Sequence, residues 1–103
     1  MARHLEARGY RIVARNLRVG RDEIDIVAER GRTLAFCEVR SRSSDRGIHP
    51  LETIDRAKTK RIRRAAVRWL IEQGVRGKAL RFDAAAVTFE TPEGVVDYVE
   101  GAF

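Results

Sequence analysis

A chain of 103 residues has room for one domain. Its 44% hydrophobic and 35% charged content excludes a disordered or membrane-embedded composition, and its apolar runs are far too short to span a bilayer. The 21 basic residues exceed the 15 acidic ones, for a net charge of +6, and most are arginine; that surplus suits a polyanionic partner such as nucleic acid.

Residues 1–8 read as the last turns of a helix, with Leu5 turned inward and Gly9 as its stop. It packs as a stub or belongs to an element that begins upstream, so the first helix is expected to be shortened. Its charged, amphipathic start is not a signal peptide. Residues 10–19 form a strand in which Tyr10, Ile12 and Ala14 alternate with arginines, and Gly20 ends it. Two further runs, 23–28 and 34–39, are rich in β-branched, aromatic and small apolar residues. Glu29-Arg30-Gly31-Arg32-Thr33 between them is turn chemistry, so the pair is a β-hairpin. Strands 10–19, 22–29 and 33–42 then make an antiparallel meander. Residues 41–47 form a polar, glycine-containing loop of the kind that often carries function.

The main helix is expected over 51–73. Pro50 precedes it, Glu52 and Asp55 lie in its first turns, and Gly74 follows it. Leu51, Ile54, Ile62, Ala65, Ala66, Trp69 and Leu70 recur at three- and four-residue spacing as a core stripe that includes the tryptophan. The opposite face carries Arg56, Lys58, Lys60, Arg61, Arg63, Arg64 and Arg68, a surface suited to tracking phosphates. Residues 80–90 and 95–100 are strands joined by a turn at 91–94, and Ala102-Phe103 is a tail expected to cover the core. The long crossover between strands three and four implies a parallel pairing, hence a mixed α/β sheet.

The hairpin carries the chemistry. An even-length loop, with Arg30 opposite Thr33 or Glu29 opposite Leu34, also sets Asp25 opposite Glu38, their Cβ atoms roughly 4.5–5.5 Å apart on one face. Facing carboxylates repel unless a cation sits between them. Arg40, two residues beyond Glu38, shares that face. The patch suits a divalent ion such as Mg²⁺ or Mn²⁺, completed by water and phosphate oxygens. A slip of one residue would send the two carboxylates to opposite faces. The same alternation also describes solvated carboxylates on the polar side of a half-buried hairpin. The sequence holds no glycine-rich phosphate loop, zinc spacing or nucleophile elbow. The single Cys37 can form no internal disulfide, in keeping with a reducing cytoplasm.

The segments Gly9-Tyr10-Arg11-Ile12-Val13-Ala14-Arg15-Asn16, Glu23-Ile24-Asp25-Ile26-Val27, Phe36-Cys37-Glu38-Val39-Arg40-Ser41-Arg42, with Lys58, Arg81-Phe82-Asp83 and Ala102-Phe103, resemble the YraN-like family of small bacterial proteins. That family is similar to archaeal Holliday-junction resolvases and to restriction-endonuclease-like PD-(D/E)XK nucleases. The resemblance implies one restriction-endonuclease-like domain, a mixed sheet flanked by helices. It also implies that Asp25, Glu38 and the backbone carbonyl of Val39 are metal ligands and that Arg40 takes the motif's lysine position. Arginine stays protonated, so Arg40 would stabilise charge rather than act as a base.

These readings converge on a Mg²⁺- or Mn²⁺-dependent endonuclease. Its expected partner is DNA in preference to RNA, branched or damaged, with Arg42, Lys58, Arg61 and Arg64 positioning the backbone. A homodimer would suit a symmetric junction. No membrane partner is expected. Two rivals stand beside it: a non-catalytic nucleic-acid-binding module on the same fold, and a self-associating interaction protein.

Overall fold

The computed structural model describes residues 1–42, 55–88 and 95–103, without the side chains of residues 41, 42, 88, 95 and 96. Within them the elements run α1 (Ala2–Glu6), β1 (Arg11–Val19), β2 (Asp22–Arg30), β3 (Thr33–Arg42), α2 (Arg56–Gln73), β4 (Ala79–Thr88) and β5 (Val95–Val99). The strands form one five-stranded sheet in the order β1-β2-β3-β4-β5. All neighbours are antiparallel except β3 and β4, which run parallel across the crossover that contains α2. This is the mixed α/β architecture expected from the element order, and it is compatible with a restriction-endonuclease-like fold.

Each face of the sheet has its own core. On one side, Ile62, Ala65 and Ala66 of α2 pack on Ile24, Val27, Leu34, Phe36 and Phe82. Trp69 joins them edge-on to Phe36, and Phe103 closes the end against Phe82 with ring centroids 5.6 Å apart. Trp69 is therefore core, as the spacing predicts, and the C-terminal tail covers that core as expected. On the other side, Leu5 of α1 packs with Tyr10, Ile26, Ala28, Ala35, Cys37 and Ala85. Leu5 is fully buried, and α1 gives way to Gly9 at φ +85°, a backbone state that costs glycine little.

Helix α2 differs from its expected span at the start. Asp55 has an extended backbone, φ −88° and ψ 133°, and its carboxylate accepts the Ala57 N–H at 2.9 Å. It caps the helix instead of lying in its first turn, because an aspartate side chain competes for the free amides that open a helix. The helix ends as expected on Gly74, left-handed at φ +67°. The expected helical residues Leu51, Glu52 and Ile54, most of the 41–47 loop, Phe89 and the 91–94 turn lie outside the described residues.

Candidate functional site

The β-hairpin adopts the even-loop register expected of it. Arg30 pairs with Thr33 and Glu29 with Leu34, and the ladder continues to Ile26 with Cys37. The paired ladder stops one step short of Asp25 and Glu38. Both line one cleft, together with Arg21, Asp22, Glu23, Lys58, Arg61 and Ile62.

Local strand geometry decides how Asp25 points. Ile24 and Val27, three residues apart, both pack on the α2 side, whereas a regular strand would send them to opposite faces. Across the ladder, Arg15 pairs with Ile26 and Leu17 with Ile24, so Asn16 stands opposite Asp25. Asn16 is also the only described non-glycine residue with positive φ, at 49°, a conformation asparagine tolerates better than most. Asp25 lines both the α2-side cleft and a hollow on the α1 side, beside Met1, Arg15, Asn16 and Val39. Its Oδ2 accepts the Val39 N–H at 2.7 Å. A strand residue carries its N–H and C=O toward the same neighbour, so the Val39 carbonyl is also on the Asp25 side.

Glu38 is 7% exposed. A buried carboxylate needs a partner, and the partner comes from α2: Lys58 Nζ donates to Glu38 Oε1. Arg40 Nη2 is 3.9 Å from the same oxygen, beyond hydrogen-bond reach, and Arg40 Nε is buried without a partner. This corrects the reading of Lys58 as one of the exposed cations on the far side of the helix. Lys58 lies four residues before buried Ile62 and eight before buried Ala66, so it is on the core stripe. A lysine on an apolar stripe was the available signal, and it marks a group that reaches across the packed face to an acid.

The other basic candidates divide. Arg61 lines the cleft with its Nε 3.8 Å from Asp22 Oδ1. Arg64 lies on a different groove of α2, beside Arg63, Val67, Arg68 and Ile71. The side chain of Arg42 is outside the described set, although its backbone ends β3, paired with Thr88. Among the described residues, no three His, Cys, Asp or Glu side chains converge as a metal site. Asp25 and Glu38 share the cleft with two further acids, Glu23 and the Asp22 that faces Arg61.

The opposite face holds a second buried acid that sequence reasoning passed over. Asp83, fully buried, accepts Arg81 Nε at 2.9 Å, Arg81 Nη2 at 2.9 Å, the Gly101 N–H at 2.9 Å and the Tyr98 hydroxyl. Arg81 also donates to Tyr10. Its guanidinium is held charged more firmly than usual, first by Asp83, while burial pushes the Tyr98 hydroxyl up. Every oxygen of Asp83 is satisfied within the protein, so this cluster is structural: it ties β4 to β5 and the C-terminal turn.

Among the described residues, a mixed sheet flanked by two helices, with two carboxylates and a lysine lining one cleft, makes a small α/β fold compatible with restriction-endonuclease-like architecture. Residues 1–87 match the model of the Uncharacterised protein family UPF0102, and the chain belongs to that family, the YraN-like group its segments resemble. A UPF0102 protein of Parafrankia is 49% identical over 104 residues, covering 99% of this chain and 87% of that protein. One from Sorangium cellulosum is 47% identical, covering 97% and 72%, and one from Moorella thermoacetica 44%, covering 92% and 81%.

Proposed function

We propose that this protein is a metal-dependent phosphodiesterase acting on DNA, with branched or damaged DNA as the substrate class suggested by the family resemblance. The observation that carries the reading is Asp25 and Glu38 lining one cleft with cationic Lys58, Arg21 and Arg61 around them. The donor set fits a small hard cation: two carboxylates on adjacent strands, plus the Val39 carbonyl on the same side, leave the remaining positions to water and phosphate oxygens. A bound Mg²⁺ or Mn²⁺ supplies Lewis-acid polarisation of the phosphate and an acidic water as nucleophile. Arg61 and Arg21 hold the phosphate backbone against the cleft, and the net charge of +6 draws a polyanion toward it. No helix among the described residues is long and apolar enough to cross a membrane, and a cytoplasmic setting suits a DNA substrate.

The test is calorimetric titration of Mn²⁺ and Mg²⁺ into wild type and Asp25→Ala, with and without DNA. A nuclease screen over branched, single-stranded and duplex substrates accompanies it. The expected outcome is metal binding and cleavage in the wild type, both lost in Asp25→Ala, while salt-sensitive DNA binding persists. Absence of metal binding under every condition, together with no cleavage, overturns the reading. It would favour the non-catalytic nucleic-acid-binding module, for which one observation speaks: Glu38 already has a counter-ion in Lys58. That module binds DNA with strong salt dependence and is indifferent to Mg²⁺ and to Asp25→Ala.

A further inference from the structure

Resting on the nuclease reading, we infer that Lys58 of α2, and not Arg40 of β3, is the catalytic cation that meets the scissile phosphate. The motif position after Glu38-Val39 is occupied by Arg40, but Arg40 does not line the cleft between the carboxylates; Lys58 does. Lys58 Nζ is hydrogen-bonded to Glu38 Oε1, whereas the Arg40 head stands 3.9 Å away with its Nε buried and unpartnered.

The placement of Lys58 makes little sense for the helix alone. Asp55 is the N-cap, so Lys58 is the third residue of the first turn, at the positive end of the helix dipole, where a cation is disfavoured. Its side chain, 38% exposed, lines the cleft with its ammonium on Glu38. A lysine ammonium is a compact charge on a flexible stem, able to turn from a carboxylate to a phosphate oxygen without leaving the site.

In the reaction, water adds to phosphorus and the bond from phosphorus to the leaving oxygen breaks. One water proton ends on the leaving oxygen, and the new phosphomonoester releases the other to solvent. Lys58 gives up no atom; its charge offsets the negative charge that builds on the non-bridging oxygens.

The experiment compares Lys58→Ala, Lys58→Arg and Arg40→Ala with wild type in cleavage, Mn²⁺ calorimetry and thermal melting. Lys58→Ala is expected to fold and to lose about a hundredfold or more in cleavage rate. It should bind Mn²⁺ several-fold more tightly, because the ammonium no longer competes for Glu38. Lys58→Arg is expected to recover part of the rate, and Arg40→Ala to lose less than Lys58→Ala. Cleavage by Lys58→Ala at the wild-type rate overturns the assignment, and so does weaker Mn²⁺ binding, which would mark Lys58 as a prop for the site's shape. A wild type that cleaves nothing overturns the nuclease reading, and this assignment with it.

Discussion

Two carboxylates are buried in the described protein, and their surroundings differ. Asp83, with no exposed surface, is surrounded by the Arg81 fork, the Tyr98 hydroxyl and the Gly101 amide. Glu38, almost as buried, has one lysine, a distant arginine and an open cleft. A saturated acid has no capacity left for a ligand, whereas an acid with one movable partner has. Asp83→Ala is therefore expected to act on stability: it leaves Arg81 and Tyr98 facing an unpaired site and should cost about 3–5 kcal/mol in urea unfolding. An unchanged midpoint would show that the cluster contributes nothing net. Asp25 and Lys58, at the cleft margin, should move metal binding and rate far more than the unfolding midpoint.

At the scale of elements, α2 matters through where it begins. Asp55 closes its first turn, accepting from Ala57 and, through its backbone carbonyl, from Thr59 at 2.9 Å. That turn carries Lys58. Asp55→Ala is expected to lower stability by about 1 kcal/mol while Asp55→Asn changes it little, measured by denaturant melts, since asparagine caps nearly as well. The strands were legible from period-two alternation, and the hairpin register from loop parity. The start of α2 was not, because Leu51 and Ile54 extend the three- and four-residue spacing beyond the cap. Nor was the break in alternation between Ile24 and Val27, which comes with the left-handed backbone of Asn16 on the neighbouring strand.

At the scale of the molecule, the sheet buries groups that resist ionisation on its α1 side. Burial first, then the Asp83 charge, pushes the Cys37 thiol up to about 12 from its ordinary 9.0. Burial likewise raises Tyr98 above its ordinary 10.0. The unfolded chain releases these protons earlier than the folded one as pH rises, so their stabilising effect is full below about pH 9 and declines above it. His4 has the opposite consequence. Burial, helped by Arg8, lowers its pKa below 6.5, so the unfolded chain takes up its proton first and stability falls as pH drops below that value. Unfolding midpoints measured across pH should show a plateau between about 6.5 and 9 with a decline on each side; a midpoint still rising at pH 11 would contradict the alkaline limb.

The residues alone determined the element order, the mixed sheet, the membership of Trp69 in the core, and the hairpin register that runs from Arg30 with Thr33 to Ile26 with Cys37. Each of these follows from local periodicity or from counting residues across a short turn, and both are properties of neighbouring sequence. Which cation meets Glu38 was decided by tertiary structure. Lys58 and Glu38 are twenty positions apart and on different elements, and the docking of α2 through Ile62 and Ala66 brings them together. Arg40, nearest in sequence and on the same strand, is held with its Nε buried and its head out of bonding range. Sequence spacing reports what one strand can present to its neighbour; only the packing of a helix on a sheet selects which distant charge completes the site.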